Sequence, residues 1–163
     1  MIDDALLAQA SALLGRCRVL GFKVATAESC TGGLIAACLT AIPGSSAVVE
    51  RGFVTYSNES KIQLVGVRPD LIAREGAVSE AVARAMAAGA FAASPADLSI
   101  AVTGIAGPSS DNTSKPVGLV HIAAAHRDGR VVHARYVFPG NRTTIRLASV
   151  AAAFALASAL LSR

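Results

Sequence analysis

Three short apolar runs constrain this chain more than any other feature: "KVATAE" at 23–28, "ERGFVTY" at 50–56 and "DLSIAVTG" at 97–104. Each has the composition of a strand, each stops at a polar or glycine-bearing segment, and each lies between stretches of helical periodicity. Leu6, Leu7, Ala10, Leu13 and Leu14 share one face of a helix expected from Asp3 to about Cys17, with Gly21 as its stop. "GGLIAACLTA" at 32–41 reads as a helix, and so does "SNESKIQLVG" at 57–66, capped by Ser57 or Asn58. "EAVARAMAAGAFAA" at 80–93 is a further helix, capped by Ser79. Asp128-Gly129 marks the turn of a hairpin between "VGLVHIAAAH" and "VVHARYVF", and Asn141 caps a long closing helix that ends at Leu161. Strands and helices that mix in this way predict an α/β protein. The expectation is a single three-layer α/β/α domain over residues 1–163, with a central mixed sheet and a ligand crevice at the carboxyl ends of strands.

Composition narrows the function classes. With 53% hydrophobic and 16% charged residues the chain can bury a substantial core. The formal charge of +4 suits anionic small molecules, but no basic stripe interleaved with aromatics is present, aromatics are 4% and Trp is absent. A nucleic-acid groove is therefore not expected. Cys17, Cys30 and Cys38 have no metal-ligand spacing and suit reduced thiols in the cytoplasm. Asp3 and Asp4 stand where a secretory signal would be basic, and the apolar stretch 147–161 is too short for a membrane span. The Ala-rich helices offer smooth faces on which a homodimer could form.

Four polar stations carry chemistry. In "TAESCTGGL" at 26–34, Ser29 can present its hydroxyl between a strand and a helix whose first-turn amides stabilise negative charge; equally, Ser29 or Thr31 could simply cap the helix. Cys30 is a rival nucleophile, because a helix N-terminus can depress a thiol pKa, although the three histidines are distant in sequence, at 121, 126 and 133. Lys61 closes "TYSNESK"; it is one of only three lysines, and a buried lysine can accept a proton where arginine cannot. Glycines in "TGIAGPSSDNTSKPVG" at 103–118 let a backbone close around a nucleotide, with Thr103 as a hydroxyl donor, yet the segment fits neither standard phosphate-loop pattern. Arg142 and Arg146 lie one turn apart at the start of the last helix, where they oppose the macrodipole and make sense if an anion docks between them.

Seven ordered motifs, "AESCTGGL" at 27–34, "PGSS" at 43–46, "TYSNESK" at 55–61, "GAVSEAVA" at 76–83, "TGIAGP" at 103–108, "KPVG" at 115–118 and the arginine-bearing last helix, together resemble the C-terminal domain of the CinA family, the nicotinamide-nucleotide amidohydrolases. The resemblance implies hydrolysis of the carboxamide of nicotinamide mononucleotide in pyridine-nucleotide recycling, with no metal or organic cofactor. It implies Ser29 as nucleophile and Lys61 as general base. Thr31, Gly32 and Gly33 would shape the oxyanion end, Tyr56 would orient or bind, Thr103, Gly104 and Gly107 would line the nucleotide pocket, and Arg142 would meet the phosphate. Ser109, Ser110 and Asp111 replace the family's glycine-rich continuation, which puts substrate preference in doubt. Larger members carry an additional N-terminal domain; the present sequence has none, so a standalone deamidase is expected. A non-catalytic nucleotide-binding or regulatory module is the alternative from another class.

Overall fold

The computed structural model describes residues 2–110 and 113–162. Helix α1 (Asp4–Leu20) starts where the Asp3 carboxylate accepts the Leu6 amide at 2.8 Å, and it stops at Gly21, whose φ of 70° suits a residue without Cβ. Strand β1 (Val24–Glu28) and α2 (Leu34–Thr40) follow, then β2 (Val49–Val54), α3 (Asn58–Val65), α4 (Pro69–Glu75) and α5 (Glu80–Ala92). The chain continues through β3 (Leu98–Gly104), β4 (Leu119–His126), β5 (Val131–Val137) and α6 (Arg142–Leu161). Ser57, Ser79 and Asn141 accept from amides three residues on, as caps of α3, α5 and α6.

The five strands form one mixed sheet in the order β2-β1-β3-β4-β5, with β1 parallel to β2 and β3, and β4 and β5 antiparallel to their neighbours. Period-two alternation sends Leu98, Ile100, Val102 and Ile122 into a core shared with Leu13, Ile35 and Phe154 of α1, α2 and α6. The other face carries alanines, Ala25, Ala27, Ala101 and Ala123, packed with Val65, Ile72, Val82 and Met86 of α3, α4 and α5. Small residues there let α5 lie close to the sheet. Helices thus cover both faces, in three layers, and β1 and β3 are buried nearly throughout, as central parallel strands are. Although α6 is long and apolar enough to cross a membrane, its apolar face packs on the sheet and on α1.

Three details differ from the sequence expectation. Strand β2 ends at Val54 rather than Tyr56, and α4, begun by Pro69 in its first turn, was not foreseen. Gly32 and Gly33, expected inside α2, precede it with φ of 58° and 96°.

One contact fixes the spacing of two helices. A Cβ added to Gly89 of α5 would stand 1.7 Å from the carbonyl oxygen of Val65, the last residue of α3. Backbone therefore touches backbone where α5 meets α3.

Candidate active site

The three parallel strands end at one edge of the sheet. From there β1 continues through α2 on one face, whereas the crossover from β2 to β3 runs through α3–α5 on the other. Connections leaving to opposite faces open a crevice beyond the carboxyl ends of β1 and β3. A cavity of about 660 Å³ lies there, within the range of small-molecule sites. Ser29, Cys30, Tyr56, Lys61, Thr103, Gly104, Gly107, Lys115 and Arg142 are among its wall residues.

Ser29 follows β1 directly, and its amide still bonds the Val102 carbonyl of β3 at 2.9 Å. Lys61, in the first turn of α3, is 1% exposed, and its Nζ lies 3.0 Å from Ser29 Oγ. The same nitrogen lies 3.0 Å from the Thr55 carbonyl and 3.5 Å from that of Tyr56. All three partners are uncharged. Burial holds the Lys61 amine below the ordinary lysine range, opposed by the neighbouring Cys30 thiol. A neutral amine satisfies this geometry fully: its two N–H groups serve the carbonyls and its lone pair faces the serine hydroxyl.

Cys30 takes the opposite course. It is buried, and burial pushes its thiol up to about 12, so the helix-end activation considered from sequence does not operate. No histidine compensates: His121 and His133, ring nitrogens 2.9 Å apart, stand on the sheet face covered by α5, while Cys30 packs into the opposite core. Burial and the neighbouring His133 lower His121 to about 4.

The amides of the first turn of α2, expected from sequence to face the substrate, are occupied. The Glu28 carboxylate, fully buried, accepts from the amides of Gly33, Ile35 and Ala36 at 3.1, 2.9 and 2.9 Å. Thr31 Oγ1 donates to it at 2.7 Å and Thr26 Oγ1 at 3.3 Å. Thr31, Gly32 and Gly33 are not among the wall residues of the cavity. Cys30 is in the wall, and among the described residues its amide gives no bond to another backbone group.

Thr103 lines the cavity, but its hydroxyl donates to the Ala77 carbonyl at 2.8 Å. Arg142 donates through Nη1 to the Gly107 carbonyl and through Nη2 to Tyr56 Oη, both at 2.7 Å, and so links the last helix to the two loops of the mouth. Arg146 points elsewhere: Nη2 donates to the Thr31 carbonyl at 2.8 Å, and its buried Nε has no partner among the described residues. The two arginines do not form one anion clamp. Asp111, the new carboxylate noted in the sequence, lies outside the described residues.

Sequence reasoning missed Glu28 and Lys115. The signal for Glu28 was an acid closing an otherwise apolar strand just before a glycine pair. Lys115, which donates to the Glu75 and Val78 carbonyls at 3.1 and 2.5 Å, was marked by its scarcity and by "KPVG".

A layered α/β chain with a serine–lysine contact at the strand ends has close counterparts of known structure. The competence/damage inducible protein CihA from Agrobacterium tumefaciens matches with a TM-score of 0.95 at 45% identity, covering 100% of this chain and 99% of that one. A CinA superfamily protein from Klebsiella pneumoniae matches with a TM-score of 0.93 at 32% identity, covering 96% and 98%. The CinA C-terminal domain model matches residues 7–161, and the chain belongs to that family. A curated relative from Escherichia coli (strain K12), named nicotinamide-nucleotide amidohydrolase PncC, is 47% identical over 146 residues, 89% of this chain and 88% of its own. A CinA-like protein from Mycobacterium marinum is 52% identical over 86% of this chain, which spans only 33% of it.

Proposed function

We propose that this chain hydrolyses the carboxamide of nicotinamide mononucleotide to nicotinate mononucleotide and ammonia, acting as a single domain without cofactor. The observation that carries the reading is the 3.0 Å approach of the buried Lys61 Nζ to Ser29 Oγ at the wall of a cavity of about 660 Å³. Family membership and relatives named for this activity support the substrate class.

Ser29 Oγ attacks the carboxamide carbon while its proton passes to Lys61 Nζ. The oxyanion takes the Cys30 amide as a donor, since Glu28 occupies those of α2. Lys61 returns the proton to the departing nitrogen, the C–N bond breaks, ammonia leaves, and an ester remains on Ser29. Water then gives a proton to Lys61 and attacks the ester carbon; the bond to Oγ breaks, Ser29 regains the proton and the carboxylate product departs. Arg142, held at the mouth by Gly107 and Tyr56, has donors left for a phosphate. Recycling of pyridine nucleotides in the cytoplasm, and a homodimer, belong to the same reading.

Purified protein is expected to release ammonia and nicotinate mononucleotide in equal amounts from nicotinamide mononucleotide. Tight binding without any release would make the chain a nucleotide-binding module instead.

A further inference from the structure

The serine and the lysine come from separate elements, β1 and α3, and nothing in either element alone fixes the gap between them. Both lead back to one residue outside the cavity wall. The Glu28 side chain ties down the turn that carries Ser29, by three backbone amides and two hydroxyls. Its backbone carbonyl accepts from the Thr55 amide at 2.8 Å and from Thr55 Oγ1 at 3.3 Å. The Thr55 carbonyl in turn receives Lys61 Nζ at 3.0 Å.

We propose that Glu28 is the positioning residue of the Ser29–Lys61 pair: its carboxylate holds the nucleophile's turn, and its carbonyl holds the strand end that aims the lysine. The inference rests on the serine–lysine reading above. Three backbone amides and two hydroxyls donate to the Glu28 side chain. The carboxylate stands at the start of α2, where the Gly33, Ile35 and Ala36 amides all donate to it. Glu28 is not among the hydrogen-bond partners of Lys61, all of which are uncharged, and a base in this position needs to be free of a counter-ion.

Glu28→Gln tests the role, because an amide nitrogen can only donate. Placed at the Oε1 position it confronts the Ala36 amide, and at Oε2 those of Gly33 and Ile35, so either orientation displaces the turn. The readout is the rate at which a fluorophosphonate labels Ser29: Oγ bonds to phosphorus, fluoride leaves and the proton passes to Lys61. This rate depends on the pair and not on nucleotide contacts. Labelling per folded molecule is expected to slow about 10²-fold, the order associated with a misplacement of about 1 Å, with KM for the nucleotide unchanged. Thr31→Val removes only the 2.7 Å bond and should slow labelling less, in the same sense. Asp3→Ala, which removes the α1 cap, should lower stability and leave the labelling rate alone.

A folded Glu28→Gln protein that is less stable but labelled at the parent rate would reduce Glu28 to a helix cap and overturn the proposal. If that variant does not fold, a parent rate in Thr31→Val does the same. Labelling of the parent but not of Ser29→Ala upholds the serine reading whichever way Glu28 falls. A parent that is not labelled at all overturns both.

Discussion

Substituting Gly89 by alanine sets two effects of opposite sign against each other. In a helix interior, alanine is favoured over glycine by about 1 kcal/mol, so propensity alone makes Gly89→Ala stabilising. The structure opposes this, since the new Cβ would meet the Val65 carbonyl oxygen at 1.7 Å and its carbon at 2.7 Å, where contacts below 3.0 Å are essentially never found. Helices α5 and α3 must part by roughly 1.3 Å, on the scale of displacement that overpacked cores resist at about 1–3 kcal/mol. The net is a destabilisation of up to about 2 kcal/mol, or up to roughly 8 °C in Tm for a chain of this size. Val65 lies one turn beyond Lys61 on the same helix, so the shift also stretches the 3.0 Å contact with Ser29. A misplacement of this order costs about 10²-fold in rate. Thermal unfolding and steady-state ammonia release measure the two parts. Gly15→Ala is the control, because nothing lies within 4 Å of the Cβ it would add: it should raise stability and leave turnover unchanged. A Gly89→Ala protein with raised Tm and parent turnover would refute the claim that this backbone contact sets the position of α3.

Four further outcomes follow from the site. With its thiol raised to about 12, Cys30 is on the order of 10⁻⁴ thiolate at pH 8, so iodoacetamide should leave turnover intact and Cys30→Ala should stay active. Burial lowers the Lys61 pKa from its ordinary 10.5, and the reaction needs the neutral amine; kcat/KM should therefore rise with pH along a limb whose midpoint lies below 10.5. The same shift makes the unfolded chain bind more protons between the two pKa values, so stability gains as pH rises through that window, and Lys61→Met should raise Tm more at acid than at alkaline pH. Arg142→Ala removes the donors that link Gly107 and Tyr56, and should raise KM for a phosphorylated substrate roughly ten- to a hundredfold, read by comparing the nucleotide with its dephosphorylated nucleoside.

Local signals made much of this architecture legible. Ser57, Ser79 and Asn141 cap helices because their side chains are short acceptors, and Gly21 ends one because it can take a left-handed conformation. Residues whose roles depend on distant neighbours were harder to place. The family resemblance assigned Thr31, Gly32 and Gly33 to the substrate end; Thr31 Oγ1 and the Gly33 amide serve the carboxylate of Glu28, supplied by the chain itself, while the Gly32 amide bonds the Ser29 carbonyl. Arg142 and Arg146 looked like one clamp from their spacing, but one turns to the cavity mouth and the other to the Ser29 turn, an outcome set by packing of α6. Strand β2 fell short of Tyr56 because β-propensity does not report where the partner strand ends.

The central claim is that Ser29 is the nucleophile and Lys61 its base. Ammonia release from nicotinamide mononucleotide, measured for the parent and for folded Ser29→Ala, Lys61→Met and Cys30→Ala proteins, tests it most directly. Turnover should vanish in the first two variants and persist in the third. Retained turnover in Ser29→Ala, or its loss in Cys30→Ala alone, would contradict the account.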